Sequence, residues 1–113
     1  MKLWLSRLLV FSLLVLATLT AAPGKQKFTG IITDSMCADG DHSQMRMGPT
    51  DAECTLACVD SHGAQLVLYN GKQSYTLSDQ KTPLKFAGKK VTVSGTLDAK
   101  TMTIQVDSIT PAK

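Results

Sequence analysis

The segment QLVLYNGKQSYTL, residues 65–77, predicts a β-hairpin and gives the chain its β character. Asn70-Gly71 is a strong two-residue hairpin signal, because both central residues of such a turn take positive φ. A two-residue turn places Leu66 opposite Tyr75 on the neighbouring strand. The side chains that then share the inner face are all apolar or aromatic: Leu66, Leu68, Tyr75 and Leu77.

Alternating apolar and polar residues predict strands on both sides of this hairpin. Residues 28–33 are rich in β-branched side chains, and residues 91–97 and 102–106 alternate. Ile109 is out of phase, so the last strand is expected to end or bulge before it. Five short strands would expose unpaired edges in a flat sheet, and closure removes those edges. We therefore predict a mainly β fold, a small five-stranded OB-like barrel, with a curled antiparallel sheet as the alternative.

A loop-plus-helix insertion is predicted at residues 34–63. Residues 34–49 show no apolar period, whereas residues 50–53 read Thr-Asp-Ala-Glu, which is a helix capping box. The helix should end near His62, because Gly63 suits the left-handed conformation that ends helices. On this helix Leu56 and Val59 are expected to face the barrel, away from the cysteines.

The first 22 residues have the layout of a secretory signal peptide. Lys2 and Arg7 precede an apolar run at residues 8–19, and small residues follow it. The run is shorter than the roughly 20 apolar residues that span a bilayer. We therefore expect export to the periplasm or beyond, no stable membrane anchor after cleavage of residues 1–22, and a single small β domain at residues 23–113.

Charge and composition argue against several functional classes. Without the signal peptide the chain has ten basic and nine acidic residues, a net charge of +1, and few aromatic residues. Nucleic-acid binding is therefore not expected. The acidic residues within 34–60 are expected to form a solvated face. The sequence has no nucleophile elbow, phosphate-binding glycine loop or H-E-x-x-H, and favours a binding role over catalysis. The sequence does not identify which protein or small molecule the domain would bind.

Cysteine and histidine residues in the insertion predict a metal site. The chain has three cysteines, an odd number for an exported protein whose cysteines usually pair. Their pattern with one histidine is C-x₄-H-x₁₁-C-x₃-C, and a Cys₃His set is typical of tetrahedral zinc. The predicted ligands are Cys37, His42, Cys54 and Cys58. We expect structural zinc, although soft thiolates also suit copper(I).

Two other interpretations of the insertion stay open. In the first, a disulfide joins Cys37 to Cys54 or Cys58, and the protein is a disulfide-bonded OB-like binding module without metal. In the second, Met45 and Met47 beside the histidine take part in periplasmic copper or redox handling.

The chain also resembles a family of small exported bacterial proteins that carry a domain of unknown function. The similarity lies in GIITDSMC at residues 30–37, in His42, in Glu53-Cys54 with Cys58, in Gly63-Ala64 and in AGKKVTVSGTL at residues 87–97. This resemblance implies export and a β-rich fold. It implies no particular activity or ligand.

Overall fold

Five strands, one α-helix and one 3₁₀ turn make up the computed structural model, which describes residues 24–113. In chain order they are β1 (Gln26–Asp34), α1 (Asp51–His62), β2 (Leu66–Tyr69), β3 (Ser74–Leu77), the 3₁₀ turn (Thr82–Phe86), β4 (Lys90–Asp98) and β5 (Thr103–Pro111). The predicted signal peptide lies outside the described residues. Within residues 24–113 no helix has both the length and the apolar character that crossing a membrane requires.

The strands close into a barrel in the order β1-β2-β3-β5-β4, with β4 returning to pair with β1. Four of the pairings are antiparallel and β3 runs parallel to β5. Closure confirms the predicted five-stranded barrel over the curled sheet. It also gives both edges of every strand a partner, which a short open sheet cannot do.

The β2–β3 hairpin has a longer turn than the sequence predicts. Leu68, rather than Leu66, lies opposite Tyr75, so four residues form the loop. The Asn70 side-chain oxygen accepts the backbone N–H of Gln73 at 2.8 Å, and the Asn70 N–H donates to the Gln73 carbonyl at 3.0 Å. These bonds stabilise the wider loop. The predicted register is wrong by two residues, and a shift of two leaves every side chain on its predicted face.

The barrel interior holds the apolar core. Its buried members come from all five strands: Ile32, Leu66, Leu68, Tyr75, Leu77, Val91, Val93 and Ile104. The predicted irregularity in the last strand is a bulge, because Ser94 pairs with Ser108 while Gly95 pairs with Val106. The bulge returns Ile109 to the edge of the core.

Helix α1 begins and ends where the sequence predicts. The Thr50 hydroxyl accepts the Glu53 N–H at 3.2 Å, and Gly63 ends the helix with φ of 65°. The expectation that Leu56 and Val59 face the barrel is wrong for Leu56, which is 38% exposed, and is confirmed for Val59, which packs against the core. The buried residues of α1 are Cys54, Thr55 and Cys58. The cysteine-bearing face therefore packs inward, because small thiols and a hydroxyl permit close approach to β1.

Candidate metal centre

Asp34 is fully buried at the end of β1, where the chain leaves the barrel. Its Oδ1 atom accepts the backbone N–H groups of Met36 and Cys37, each at 3.0 Å. The Thr33 hydroxyl donates to the Cys37 carbonyl at 2.9 Å and holds the same turn from the other side. These bonds fix the carboxylate, so its second oxygen, Oδ2, faces the insertion.

The His42 side chain occupies the position opposite that oxygen. Its Nε2 atom lies 3.1 Å from Asp34 Oδ2 and 3.4 Å from the Thr55 hydroxyl. Only 2% of the residue is exposed. A strand end, a loop residue and a helix residue therefore meet around one buried imidazole.

The other histidine nitrogen, Nδ1, lies 3.3 Å from Asp51 Oδ1. That distance suits an ion pair, but the two groups are not aligned as a hydrogen bond. Among residues 24–113, His42 Nδ1 is the one buried side-chain nitrogen or oxygen that has no hydrogen-bond partner. Such groups are rare in folded proteins and call for a physical explanation.

Asp34, Cys37 and His42 form a group that can hold a metal ion. Each offers one ligand atom, and these atoms all lie within 4.8 Å of one another. All three residues are buried, with Cys37 the most exposed at 7%. The group combines a carboxylate oxygen, a thiol sulfur and an imidazole nitrogen. Its composition and spacing suit a transition-metal ion, and the geometry leaves the identity of the ion open.

The thiols near the group retain their protons at neutral pH. Burial raises the pKa of Cys37 above its ordinary value of 9.0, and the charge of Asp34 raises it further. Burial also raises the pKa of Cys58, and so does the charge of Asp34. A metal ion that binds thiolate must therefore displace a proton here.

Cys54 and Cys58 lie on α1 outside the group of three. The Cys54 thiol donates to the Gly48 carbonyl at 3.2 Å, and Arg46 Nη1 lies 3.8 Å from the same sulfur. All three cysteines are free and buried. No disulfide joins them, so the disulfide-bonded module lacks the bond on which that interpretation depends.

The structure thus brings together two of the four ligands that the sequence predicts. Cys37 and His42 lie within the group, whereas Cys54 and Cys58 do not, and the complete Cys₃His set stays a prediction. Sequence reasoning missed Asp34, which it assigned to a solvated acidic face. The sequence signal for Asp34 is its position, directly after a β-branched strand and three residues before Cys37, which does not by itself show that the residue is buried.

A surface pocket of about 560 Å³ opens beside Cys37. Met36 and Met45, both partly exposed, line it together with Asp39 and Asp41. Met47 is partly exposed and is not among the residues that line this pocket. Cys37 is therefore the member of the group of three that lines this surface pocket.

Comparisons with protein-family models, with curated proteins and with solved structures find no match to this chain. The residues of the buried group, with the loop and helix that surround it, carry the evidence on function.

Proposed function

We propose that this protein is an exported zinc-binding protein in which the ion joins the loop-plus-helix insertion to the end of β1. Asp34, Cys37 and His42 supply three ligands. The observation that carries the proposal is their burial with all three ligand atoms within 4.8 Å of one another. The proposed role of the ion is structural.

The ligand types favour zinc. Zinc is bound in proteins by thiolate, imidazole and carboxylate, which are the three groups present. Calcium and magnesium prefer oxygen ligands throughout, so a thiol and an imidazole argue against them. Copper(I) prefers sulfur and nitrogen, and the carboxylate makes it the less suitable ion.

Cys58 is the proposed fourth ligand. Burial of Cys58 on the inward side of α1 raises the pKa of its thiol, and so does the charge of Asp34, the carboxylate that also contacts His42. Cys54 instead donates to the Gly48 carbonyl, and that bond must break before Cys54 can bind the ion. Four protein ligands would leave no coordination position open to solvent, which is the usual arrangement in structural zinc sites.

A structural ion suits the architecture of this chain. The strands carry most of the apolar core, whereas residues 35–50 have no regular secondary structure. A loop of that length is uncommon in a small domain unless something holds it. A zinc ion bound by β1, the loop and α1 would hold it, as metals do in other small domains.

Export and the resemblance to small exported bacterial proteins belong to the same proposal. The basic start, apolar run and small residues of the first 22 positions support export. A closed zinc site would keep the Cys37 and Cys58 thiols from oxidation in an oxidising compartment, and Cys54 is itself fully buried. This accounts for an odd number of cysteines without a disulfide.

Zinc-dependent thermal unfolding tests the proposal on protein exported by a host cell. At a free zinc concentration 100 times the Kd, binding stabilises a folded protein by about 2.7 kcal/mol. For a domain of this size we expect the Tm to rise by about 10 °C or more. Cys37→Ser should lose this rise, whereas the exposed loop variant Asp39→Asn should keep it. A Tm that zinc leaves unchanged in the wild type would overturn the proposal.

Copper(I) binding is a second candidate, favoured by Met36 and Met45 in the pocket beside Cys37. Thioethers and thiolates are preferred ligands of copper(I). If this candidate is correct, Met36→Leu and Met45→Leu together weaken copper(I) binding measured against a chromophoric chelator. Met47→Leu is the matched control, because Met47 does not line the pocket. Zinc binding should not respond to any of these changes.

A further inference from the structure

The His42 imidazole lies between two carboxylates that differ in exposure. Asp34 Oδ2 is 3.1 Å from Nε2, and Asp51 Oδ1 is 3.3 Å from Nδ1. The Asp34 side chain is fully buried, whereas that of Asp51 is 58% exposed. One ring nitrogen therefore faces the group of three, and the other faces the first residue of α1.

This arrangement matters because the two nitrogens of a metal-binding histidine have different tasks. One nitrogen binds the ion with its lone pair. The other carries a proton and donates a hydrogen bond to a carboxylate, a carbonyl or water. The second bond sets the tautomer and the orientation of the ring. His42 Nδ1 is buried and has no hydrogen-bond partner, with a carboxylate oxygen 3.3 Å away.

Asp51 is itself held in place. It is the first residue of α1, and Thr50 caps that helix through the Glu53 N–H. Arg46 Nη2 lies 3.4 Å from Asp51 Oδ1, the same oxygen that faces His42. Arg46 Nη1 also donates to the Gly48 carbonyl at 3.1 Å, so the guanidinium is fixed by the loop.

We infer that Asp51 is a positioning residue: when zinc is bound, it accepts a hydrogen bond from the Nδ1–H group of His42 and thereby presents Nε2 to the ion. The inference rests on the proposed function, since it assigns a supporting residue to that site. In this role Asp51 would contact the imidazole and not the ion. Arg46 in turn fixes the Asp51 carboxylate, so the chain of contacts runs from Arg46 through Asp51 to His42.

The expected effect is on metal affinity rather than on folding. Loss of a carboxylate that orients a metal-bound histidine costs about 10- to 100-fold in affinity. Asp51→Ala should show such a loss. Asp51→Asn keeps a neutral acceptor oxygen, and its loss should be smaller. Asp60→Asn removes an exposed carboxylate from the same helix and should leave the affinity unchanged.

The test is a competitive zinc titration of the exported protein and these three variants, with ¹⁵N NMR of the His42 ring. In the zinc-bound wild type, Nδ1 should carry a proton and Nε2 should not. In Asp51→Ala the affinity should fall and the Nδ1 proton should exchange faster with solvent. Far-UV circular dichroism of the chelated variants reports whether α1 is intact, and Asp51→Asn provides the comparison if Asp51→Ala does not fold.

Failure of the inference differs from failure of the proposed function. If the wild type does not bind zinc, the proposed function is wrong and the inference falls with it. If the wild type binds zinc and Asp51→Ala binds equally tightly, only the inference is overturned. An equal loss in Asp51→Ala and Asp60→Asn also overturns it, because a general charge effect then explains the result.

Discussion

Asp34 Oδ2 and His42 Nε2 lie 3.1 Å apart, with both side chains almost completely buried. Asp34 ends the first barrel strand and His42 belongs to the loop that follows, so this contact holds the insertion against the barrel. Buried charged groups are costly unless they are paired and hydrogen-bonded. Asp34 meets this requirement with two backbone N–H groups and the imidazole.

Two substitutions of Asp34 should distinguish its contribution to folding stability from its contribution to zinc affinity. Asp34→Ala leaves His42 and two backbone N–H groups without their acceptor, and removal of one partner of a buried pair costs about 3–5 kcal/mol. Asp34→Asn keeps an acceptor for the backbone and is expected to lose less stability. It should still lose most of its zinc affinity, because a neutral amide is a poorer ligand than a carboxylate.

Urea unfolding in the presence of a chelator measures the first effect, and zinc titration measures the second. Asp39→Ala is the control, since Asp39 is an exposed acidic residue of the same loop whose side chain accepts the Asp41 N–H at 3.0 Å. Equal stability losses in Asp34→Ala and Asp39→Ala would contradict the role given to Asp34.

Zinc affinity should increase with pH. Burial and the charge of Asp34 raise the pKa of Cys37 above 9.0, so the thiol is protonated near pH 7. Zinc binds the thiolate and must release that proton. Each displaced thiol proton makes the affinity rise about tenfold per pH unit below the thiol pKa, so Cys37 alone gives about tenfold and Cys37 with Cys58 about 100-fold. Competitive titrations between pH 6 and 8 check this, and an affinity independent of pH would exclude Cys37 as a ligand.

The chelated protein should lose stability in alkaline solution. The pKa of Cys58 in the folded chain is raised above 9.0, chiefly by burial. The unfolded chain therefore loses this proton first, and the free energy of unfolding falls as pH rises past about 9. The contribution of the protonated Cys58 thiol to the free energy of unfolding is fully present below that pH. The urea midpoint should be lower at pH 10 than at pH 7, and the difference should shrink in Cys58→Ser. An undiminished difference in that variant would show that Cys58 does not cause the loss of stability.

Gly95→Ala should destabilise the barrel. A Cβ atom at this position would collide with the Gln105 carbonyl and would lie 2.9 Å from Ile104 Cγ2. Overpacking of this kind typically costs about 1–3 kcal/mol. Ser94→Ala, at the neighbouring position of β4, is the control and should change stability little. Similar urea midpoints for the wild type and Gly95→Ala would show that the strands separate here at no cost.

Much of the fold could be predicted because local signals agreed with the final packing. Thr50 and Gly63 bound the helix, and the alternating residues of β4 point into the core where the pattern predicts. The hairpin register could not be predicted from Asn70-Gly71 alone. The hydrogen bonds between Asn70 and Gln73 favour a four-residue loop, and the apolar pattern is identical for registers that differ by two.

The candidate site was harder to predict than the fold. The pattern indicated Cys37 and His42, because cysteine and histidine are rare residues with distinctive chemistry. Asp34 was missed because an acidic residue at a strand end usually lies in solvent, and only the closed barrel and helix α1 show that it is buried. The inward face of α1 is predicted correctly for Val59 and wrongly for Leu56, because Leu56 is more apolar than the cysteines that pack inward in its place.

Native mass spectrometry of the exported protein, purified without chelator, tests the central claim most directly. One spectrum reports the cleavage point, the bound metal and the oxidation state of Cys37, Cys54 and Cys58. The account predicts one zinc ion per chain, three reduced cysteines, and loss of the zinc in Asp34→Asn. A metal-free chain that lacks the mass of two hydrogen atoms would contradict it, because a disulfide would then hold the insertion.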